Sequence, residues 1–233
     1  MGKTAFLFSG QGAQRAGMGK EVYEHFASVR ALFDAAEEIR PGTLQQMFAG
    51  SDDELRQTEN TQPCLYLADL AAAYALRDSG LQPEAVAGFS LGEISALALA
   101  GILSLDDAFK LLKVRASAMA EACQQREGAM LALLAASHED AEAVCEACAG
   151  EDILLPANFN CPGQVVLSGD AAAIERAEAH WKGMKKKCAR LKTAGGFHSP
   201  LMTSASEVLA NYFAGSDAPV FNEAEITLIC NTD

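Results

Sequence analysis

Residues 84–103 constrain the fold of this chain more than any other segment. Glu84–Gly88 is a short apolar run typical of a buried strand, and Gly88-Phe89-Ser90-Leu91-Gly92 begins where that run ends. The residues after the glycines, ISALALAGILS, are almost wholly apolar, so a helix formed by them must be buried on most sides. A buried strand that leads into a buried helix predicts an α/β domain with helices packed on a sheet.

Composition and charge exclude several classes of protein. The chain has 233 residues, half of them hydrophobic, which predicts a soluble globular protein. Its net charge of -13 argues against a nucleic-acid partner, because phosphate binding needs a dense positive surface. No apolar run reaches membrane-spanning length, and the N-terminal run is too short for a signal peptide. We therefore expect no membrane association and a location in the cytoplasm.

The seven cysteines have no regular spacing, which predicts free thiols in a reducing compartment. Cys145 and Cys148 form a lone CxxC on a predicted helix, with no second pair and no histidine at ligand spacing. We therefore expect no metal site and no cofactor.

The pattern along the chain predicts a large domain interrupted by a small one. Thr4–Phe8 is a predicted strand, and helices are predicted at 18–36, from Gln62-Pro63 to Gly80, and at 105–121. From Gly128 onward the pattern is β-α-β-α-β, with room for a fourth strand near 153–157 and a last strand at 189–195. This order is typical of a ferredoxin-like unit. The predicted fold is thus an α/β-hydrolase-like domain with a parallel sheet (1–126 and 197–233) and an inserted small ferredoxin-like α+β subdomain (127–196).

Ser90 is the candidate nucleophile. It lies in a G-x-S-x-G sequence between a predicted strand and a predicted helix, the setting in which this motif exposes a serine hydroxyl. The N–H of Leu91 would then face a developing oxyanion at the helix N-terminus. The pentapeptide alone fits a glycine-rich turn with an N-capping serine equally well.

A serine needs a base, and His198 is the best candidate among four histidines. His25, His138 and His180 lie on predicted helices rich in charged residues. His198 instead lies in a glycine-rich corner, GGFHSP, where the chain would return to the large domain.

Six ordered motifs identify a family. Together they cover essentially the whole chain and resemble the malonyl-CoA:acyl-carrier-protein transacylases and the related acyltransferase domains of polyketide and fatty-acid synthases. The motifs are SGQGAQRAGMG, NTQP, GFSLGE, VRASAM, NCPGQVVLSG and GGFHSPLM. The resemblance implies transfer of a malonyl group from coenzyme A, as substrate, to the thiol of an acyl carrier protein.

The same resemblance implies roles for single residues. Ser90 would form an acyl ester and His198 would act as base, with Gln11 and the backbone of Leu91 as the oxyanion hole. Arg115 would bind the malonyl carboxylate through two parallel hydrogen bonds.

Further residues of the substrate pocket follow from the resemblance too. Gln62 would line the pocket, and Asn160 and Gln164 would shape a loop beside it. Phe197 stands where malonyl-type members carry phenylalanine, and its ring would crowd an α-methyl group.

The chain departs from the family in two places. Phe89 replaces the histidine usual before the nucleophile, and the sequence stops at 233, where the family normally continues for several tens of residues. That stretch usually supplies a backbone carbonyl that orients the catalytic histidine.

Two other functions remain open at this stage. A serine hydrolase or thioesterase would share G-x-S-x-G and would need an acid, for which Asp170 is the candidate. A shortened, inactive member of the family would bind a carrier protein without being acylated. The sequence argues against a dinucleotide site, because Arg15 stands where the third glycine of G-x-G-x-x-G is required.

A basic stretch before His198 is the candidate docking surface for the acidic carrier protein. A solvated helix end would produce the same pattern. The residues are Lys182, Lys185, Lys186, Lys187 and Arg190.

Overall fold

The computed structural model describes residues 2–232, which form two compact units. The large unit consists of residues 2–117 and 211–232, and the small unit is Ala118–Ala210. The sequence predicted domain boundaries at 126/127 and 196/197. These boundaries stay a prediction.

The helices and strands follow one another in a mixed α/β order. They are β1 (Ala5–Phe8), α1 (Lys20–His25), α2 (Ala27–Ile39), α3 (Thr43–Ala49), α4 (Asp52–Arg56), α5 (Thr58–Asp78), β2 (Ala85–Gly88), α6 (Gly92–Leu99), α7 (Leu105–Gln125), β3 (Gly128–Ala136), α8 (His138–Cys148), β4 (Leu154–Cys161), β5 (Gly163–Asp170), α9 (Ala171–Gly183), β6 (Cys188–Arg190), α10 (Thr203–Ala214) and β7 (Thr227–Ile229). A short 3-10 helix, Pro200–Met202, precedes α10. In residues 2–232, no helix is long and apolar enough to cross a membrane.

The large unit is built on the predicted parallel sheet, with strand order β1-β2-β7. Phe8 is opposite Gly88, and Ala87 is opposite Ile229, so the three strands end at the same edge. The segments that follow them, beginning at Ser9, Phe89 and Cys230, therefore share that edge. The third strand was not predicted, because three residues are too few to show a period.

The helix predicted to open at Gln62-Pro63 begins earlier, at Thr58, and contains Pro63 in its interior. Proline has no N–H to bond the carbonyl four residues earlier, which is that of Glu59. Arg40 Nη2 donates to this carbonyl at 3.5 Å, so the lost helical hydrogen bond is partly replaced. The predicted end is confirmed: Gly80, at φ 91°, follows the C-cap and its N–H bonds the Arg77 carbonyl.

The single helix predicted at 18–36 is wrong in one respect. The chain forms two helices, α1 and α2, separated by Phe26 in an extended conformation (φ −113°, ψ 124°). The Arg30 guanidinium bonds the carbonyls of Tyr23 and Glu24 at the end of α1. These bonds satisfy carbonyls that a helix end leaves unpaired.

The small unit has the predicted ferredoxin-like fold. Its antiparallel sheet has the strand order β4-β5-β3-β6, and α8 and α9 pack on one face around the fully buried Trp181. The last strand is shorter than the predicted 189–195. Its last bond to the sheet is from the Leu191 N–H to the Met130 carbonyl, at 3.0 Å. At Gly195 the chain instead packs against Cys123 of α7, where a Cβ would lie 2.5 Å from the sulfur.

Asp170 stabilises the small unit at the end of β5. Its buried carboxylate forms a bidentate ion pair with Arg126 and accepts a hydrogen bond from the backbone N–H of Ile153 at 2.7 Å. All these contacts lie within the small unit, so Asp170 has a structural role there.

Asp69 joins three elements of the large unit. From α5 it accepts a hydrogen bond from Ser9 Oγ, after β1, at 2.8 Å and one from Ser95 Oγ, on α6, at 3.5 Å. Burial raises the pKa of Asp69 to about 6, although the hydrogen bonds from Ser9 and Ser95 oppose the shift. The carboxylate therefore costs stability when it is charged.

We predict a stability change that depends on Asp69 and pH. Its pKa rises from 3.8 unfolded to about 6 folded. Between these values the folded protein holds a proton that the unfolded chain has lost, so the free energy of unfolding should fall as pH rises from about 4 to about 6. The contribution is at most about 3 kcal/mol.

Asp69→Asn keeps an acceptor for Ser9 and cannot ionise. Urea denaturation at pH 4 to 8 should show that the free-energy difference between Asp69→Asn and wild type grows through this window in favour of the variant. Asp53→Asn, on an exposed carboxylate, is the control and should follow wild type. A difference independent of pH would contradict the assignment.

Candidate active site

Ser90 lies at a strained turn between β2 and α6. Its φ is 51°, a left-handed conformation that costs a non-glycine residue about 1–3 kcal/mol. A Cβ on Gly88 would lie 1.9 Å from the carbonyl carbon of Gly92, and a Cβ on Gly92 would lie 2.5 Å from the Phe8 carbonyl oxygen. Both glycines of the motif are thus required by close backbone contact.

The two predicted oxyanion donors lie on the same edge of the large unit's sheet as Ser90. Leu91 directly precedes α6, and its N–H makes no hydrogen bond within the part of the chain that the structure describes. Gln11 follows β1, and its Nε2 donates a long hydrogen bond of 3.4 Å to Thr58 Oγ1. A side-chain bond of that length is weak, so the Gln11 amide can be redirected at little cost.

Arg115 is a partly buried cation on α7. Burial lowers the pKa of its guanidinium to about 10, and the nearby Glu93 carboxylate opposes this shift. Glu93 does not approach to ion-pair distance, and Arg115 forms no ion pair or hydrogen bond with any of residues 2–232. A guanidinium that burial has partly dehydrated and no protein acceptor binds is a strong site for a carboxylate.

Gln62 is fully buried in the first turns of α5. Its neighbours in the NTQP motif are buried as well, and Thr61 Oγ1 donates to the carbonyls of Leu55 and Gln57. This motif therefore anchors the start of α5 in the large unit.

His198 belongs to the small unit and is exposed. It too is left-handed, with φ 58°. Two serine side chains hold the backbone that precedes it: Ser168 Oγ donates to the Phe197 carbonyl at 2.6 Å, and Ser199 Oγ donates to the Gly196 carbonyl at 2.6 Å.

Phe197 lies inside an apolar cluster of the small unit, with only 5% of its surface exposed. Its neighbours there include Met119, Met130 and Met202. Asn160 and Gln164 bond each other at 2.9 Å across the turn between β4 and β5. Their predicted roles at the substrate pocket stay predictions.

The basic stretch is largely neutralised within the small unit. Three of its five residues form ion pairs: Lys182 with Glu178, Lys186 with Asp140, and Arg190 with Glu175. Lys186 also lies 4.2 Å from the centre of the Trp181 ring. Lys185 and Lys187 are exposed and form no ion pair within residues 2–232.

The structure thus brings Ser90, Leu91 and Gln11 to one sheet edge, and it assigns Arg115 and Gln62 to the same unit. His198, Phe197, Asn160, Gln164 and the basic residues belong to the small unit.

Sequence reasoning missed Asn231, whose side chain bonds the Ser90 N–H at 3.0 Å. Recognition of β7 would have placed Asn231 at the strand end and so found it. Sequence reasoning also missed the role of Glu93, because only the folded structure shows that it lies near Arg115. Within residues 2–232 no cluster of three or more His, Cys, Asp or Glu residues could hold a metal.

Comparison with known proteins gives consistent matches. The acyl transferase domain family matches residues 5–232. A malonyl CoA-acyl carrier protein transacylase of Bacillus subtilis is 41% identical over 234 residues, which cover 99% of this chain and 73% of that protein.

Solved structures agree. The malonyl CoA-acyl carrier protein transacylase of Coxiella burnetii matches with a TM-score of 0.93 and 33% identity, over 99% of this chain and 73% of its own. A malonyl-transacylase in complex with a type II PKS acyl-carrier protein matches with a TM-score of 0.92 and 32% identity, over 100% of this chain and 75% of its own. The strained serine between strand and helix thus lies in a fold shared with these enzymes, and the chain belongs to the acyl transferase family, among the malonyl CoA-acyl carrier protein transacylases.

Proposed function

We propose that this chain transfers a malonyl group from coenzyme A to the thiol of an acyl carrier protein through an ester on Ser90. One observation carries the proposal: a strained, glycine-flanked serine and a partly buried arginine without a protein acceptor lie in the same unit. The first supports acyl transfer, and the second supports an acyl group that carries a carboxylate. The similar proteins described above are malonyl CoA-acyl carrier protein transacylases, which supports the same substrate.

The cycle has two halves. Ser90 Oγ attacks the thioester carbonyl carbon while His198 takes the hydroxyl proton, and the C–S bond then breaks as the proton passes to the departing coenzyme A thiol. In the second half the carrier protein's thiol gives its proton to His198 and attacks the ester, and Ser90 regains its proton. The N–H of Leu91 and the Gln11 amide stabilise the oxyanion in both halves. The malonyl thioester and the carrier protein's thiol are the only reactants that these steps need.

The hydrolase alternative has no support from Asp170. Its carboxylate is bound to Arg126 and to the Ile153 N–H within the small unit. To orient a histidine, Asp170 would have to give up these bonds, which would leave its buried carboxylate without them.

We also propose a reducing compartment, the cytoplasm, as the location. All seven cysteines are free thiols. Burial raises the pKa of Cys64 and of Cys145 to about 12, which keeps both protonated and unreactive.

Ser90 should carry the acyl group. Intact-mass spectrometry after mixing with malonyl-CoA should show one malonyl adduct, and Ser90→Gly and Ser90→Ala should both abolish it. Ser90→Gly should also raise the free energy of unfolding by about 1 kcal/mol, because glycine adopts a positive φ without strain. Ser216→Ala, on an exposed loop serine of the same unit, should be acylated like wild type. An adduct that persists in Ser90→Gly would contradict the assignment, and carrier-protein binding without any adduct would favour the inactive binding module.

Arg115 should select malonyl over acetyl groups. A charge-assisted hydrogen bond contributes about 1.5–3 kcal/mol, so Arg115→Ala should slow acylation by malonyl-CoA about 10- to 100-fold and acylation by acetyl-CoA much less. Arg115→Lys keeps the charge but cannot form two parallel bonds, so it should give an intermediate ratio. Arg56→Ala, which removes an exposed arginine, is the control. Equal losses with both thioesters would make Arg115 structural.

The carrier protein should dock on Lys185 and Lys187, whose charges no partner within the small unit neutralises. Lys185→Glu with Lys187→Glu should reduce transfer to the carrier protein about tenfold at low salt and weaken its salt dependence, while acylation by malonyl-CoA stays unchanged. Lys186 is left intact because it binds Asp140 and packs on Trp181.

The matched control for this pair is Lys3→Glu with Lys20→Glu. It changes the net charge equally at two other exposed lysines. Equal losses in both double variants would show an effect of net charge rather than docking on this surface.

A further inference from the structure

The side chain of Asn231 continues the sheet past the point where its backbone ladder ends. The last register pair of β2 and β7 is Ala87 with Ile229. Two residues later, Asn231 Oδ1 accepts the Ser90 N–H at 3.0 Å, and its Nδ2 donates to the Gly88 carbonyl at 2.8 Å. A parallel partner strand would make these same two bonds around Phe89. The carboxamide therefore acts as a backbone group at the turn that carries the nucleophile.

The same side chain also holds Glu93. Asn231 Nδ2 donates to Glu93 Oε2 at 2.5 Å, and the Asn231 backbone N–H donates to Glu93 Oε1 at 3.3 Å. Both carboxylate oxygens are thus occupied. Glu93 is close enough to Arg115 to raise the pKa of the guanidinium, yet it forms no ion pair with it.

We propose that Asn231 is a positioning residue with two effects on the proposed reaction. It holds Ser90 in its left-handed conformation, and it binds Glu93 so that this carboxylate does not compete with the substrate for Arg115. The inference rests on the proposed function, because it assigns Arg115 to the acyl carboxylate. Asn231 touches neither reactant in this scheme and acts only through Ser90 and Glu93.

The first effect predicts a slower reaction with both thioesters. In Asn231→Ala, Ser90 loses the acceptor for its N–H, and acylation by malonyl-CoA and by acetyl-CoA should slow at least about tenfold through kcat, because small misplacements of a nucleophile are costly. Hydrogen exchange at the Ser90 amide should become faster in the same variant. Asn231 is exposed, so its truncation leaves no core cavity and the denaturation midpoint should change little.

The second effect predicts a change of selectivity. Once Glu93 is released it can pair with Arg115, so malonyl transfer should fall about tenfold further than acetyl transfer. Adding Glu93→Gln to Asn231→Ala removes the competing charge and should restore the malonyl preference without restoring the Ser90 exchange rate. A merely structural defect would not produce this separation.

The experiment compares wild type, Asn231→Ala, Asn231→Ala with Glu93→Gln, and Asn211→Ala as an exposed asparagine control in the same unit. Wild-type rates in Asn231→Ala would overturn the proposal while leaving Ser90 acylation intact. Equal losses for both thioesters, with no effect of Glu93→Gln, would overturn the role through Arg115.

Two other outcomes, an inactive wild type and an unfolded Asn231→Ala variant, still leave a test of the hydrogen bond between Ser90 and Asn231. If wild type forms no malonyl adduct, the proposed function fails, and the exchange rate of the Ser90 amide still tests its hydrogen bond to Asn231. If Asn231→Ala fails to fold, Asn231→Asp replaces it, since aspartate keeps the acceptor for Ser90 and repels Glu93. In Asn231→Asp the Ser90 amide should then exchange at close to the wild-type rate, and a Ser90 amide that exchanges as fast as an unprotected one would overturn the proposal.

Discussion

The direct backbone contact between the end of β2 and the start of α6 is the constraint on which the rest of the large unit depends. No side chain fits at Gly88 or at Gly92, since an added Cβ would overlap backbone atoms at both. The chain must therefore turn within the three residues between them, and Ser90 takes a positive φ as a result. After this sharp turn α6 packs on β1, β2 and α5, and its apolar sequence buries Ile94, Ala96 and Leu99.

That geometry also explains how charge is distributed around the site. Glu93 lies in the first turn of helix α6, where a carboxylate is favoured by the helix dipole. It lies near Arg115, and an unrestrained pair would close into an ion pair that blocks substrate. The hydrogen bonds from Asn231 hold the carboxylate instead, so the site keeps a compensating negative charge without using up the cation. Asp69, bonded to Ser9 and Ser95, ties β1 to α6 in a similar way but with a carboxylate whose pKa burial raises.

The sequence predicted those parts of the fold that depend on local pattern. The strand-turn-helix at Ser90, the ferredoxin-like order of the small unit and the glycine at the end of α5 each have a period or a turn signal, and the structure contains all of them. The break at Phe26 and the early start of α5 could not be predicted, because each depends on a distant or later arginine that satisfies freed carbonyls. Asn231 and Glu93 were missed for a related reason. Asn231 and Glu93 are in contact but lie 138 positions apart in the sequence, so no local pattern indicates that they interact.

Ser90 and His198 share an unusual backbone conformation. Four non-glycine residues of the described chain have a positive φ. Two have local causes: Ala135 lies in the bulge of β3, and Lys185 follows the C-cap of α9, where the Lys185 and Lys186 N–H groups bond Lys182 and Trp181 as in a Schellman motif. Ser90 and His198 have neither. Side chains bond the backbone at or next to each of them. The Asn231 side chain does so at Ser90, and the Ser168 and Ser199 hydroxyls do so before His198. A strained backbone conformation persists only where surrounding groups hold it, and such residues cluster at functional sites. The two residues proposed as nucleophile and base are therefore also the two whose positive φ occurs neither in a β-bulge nor at a helix C-terminus.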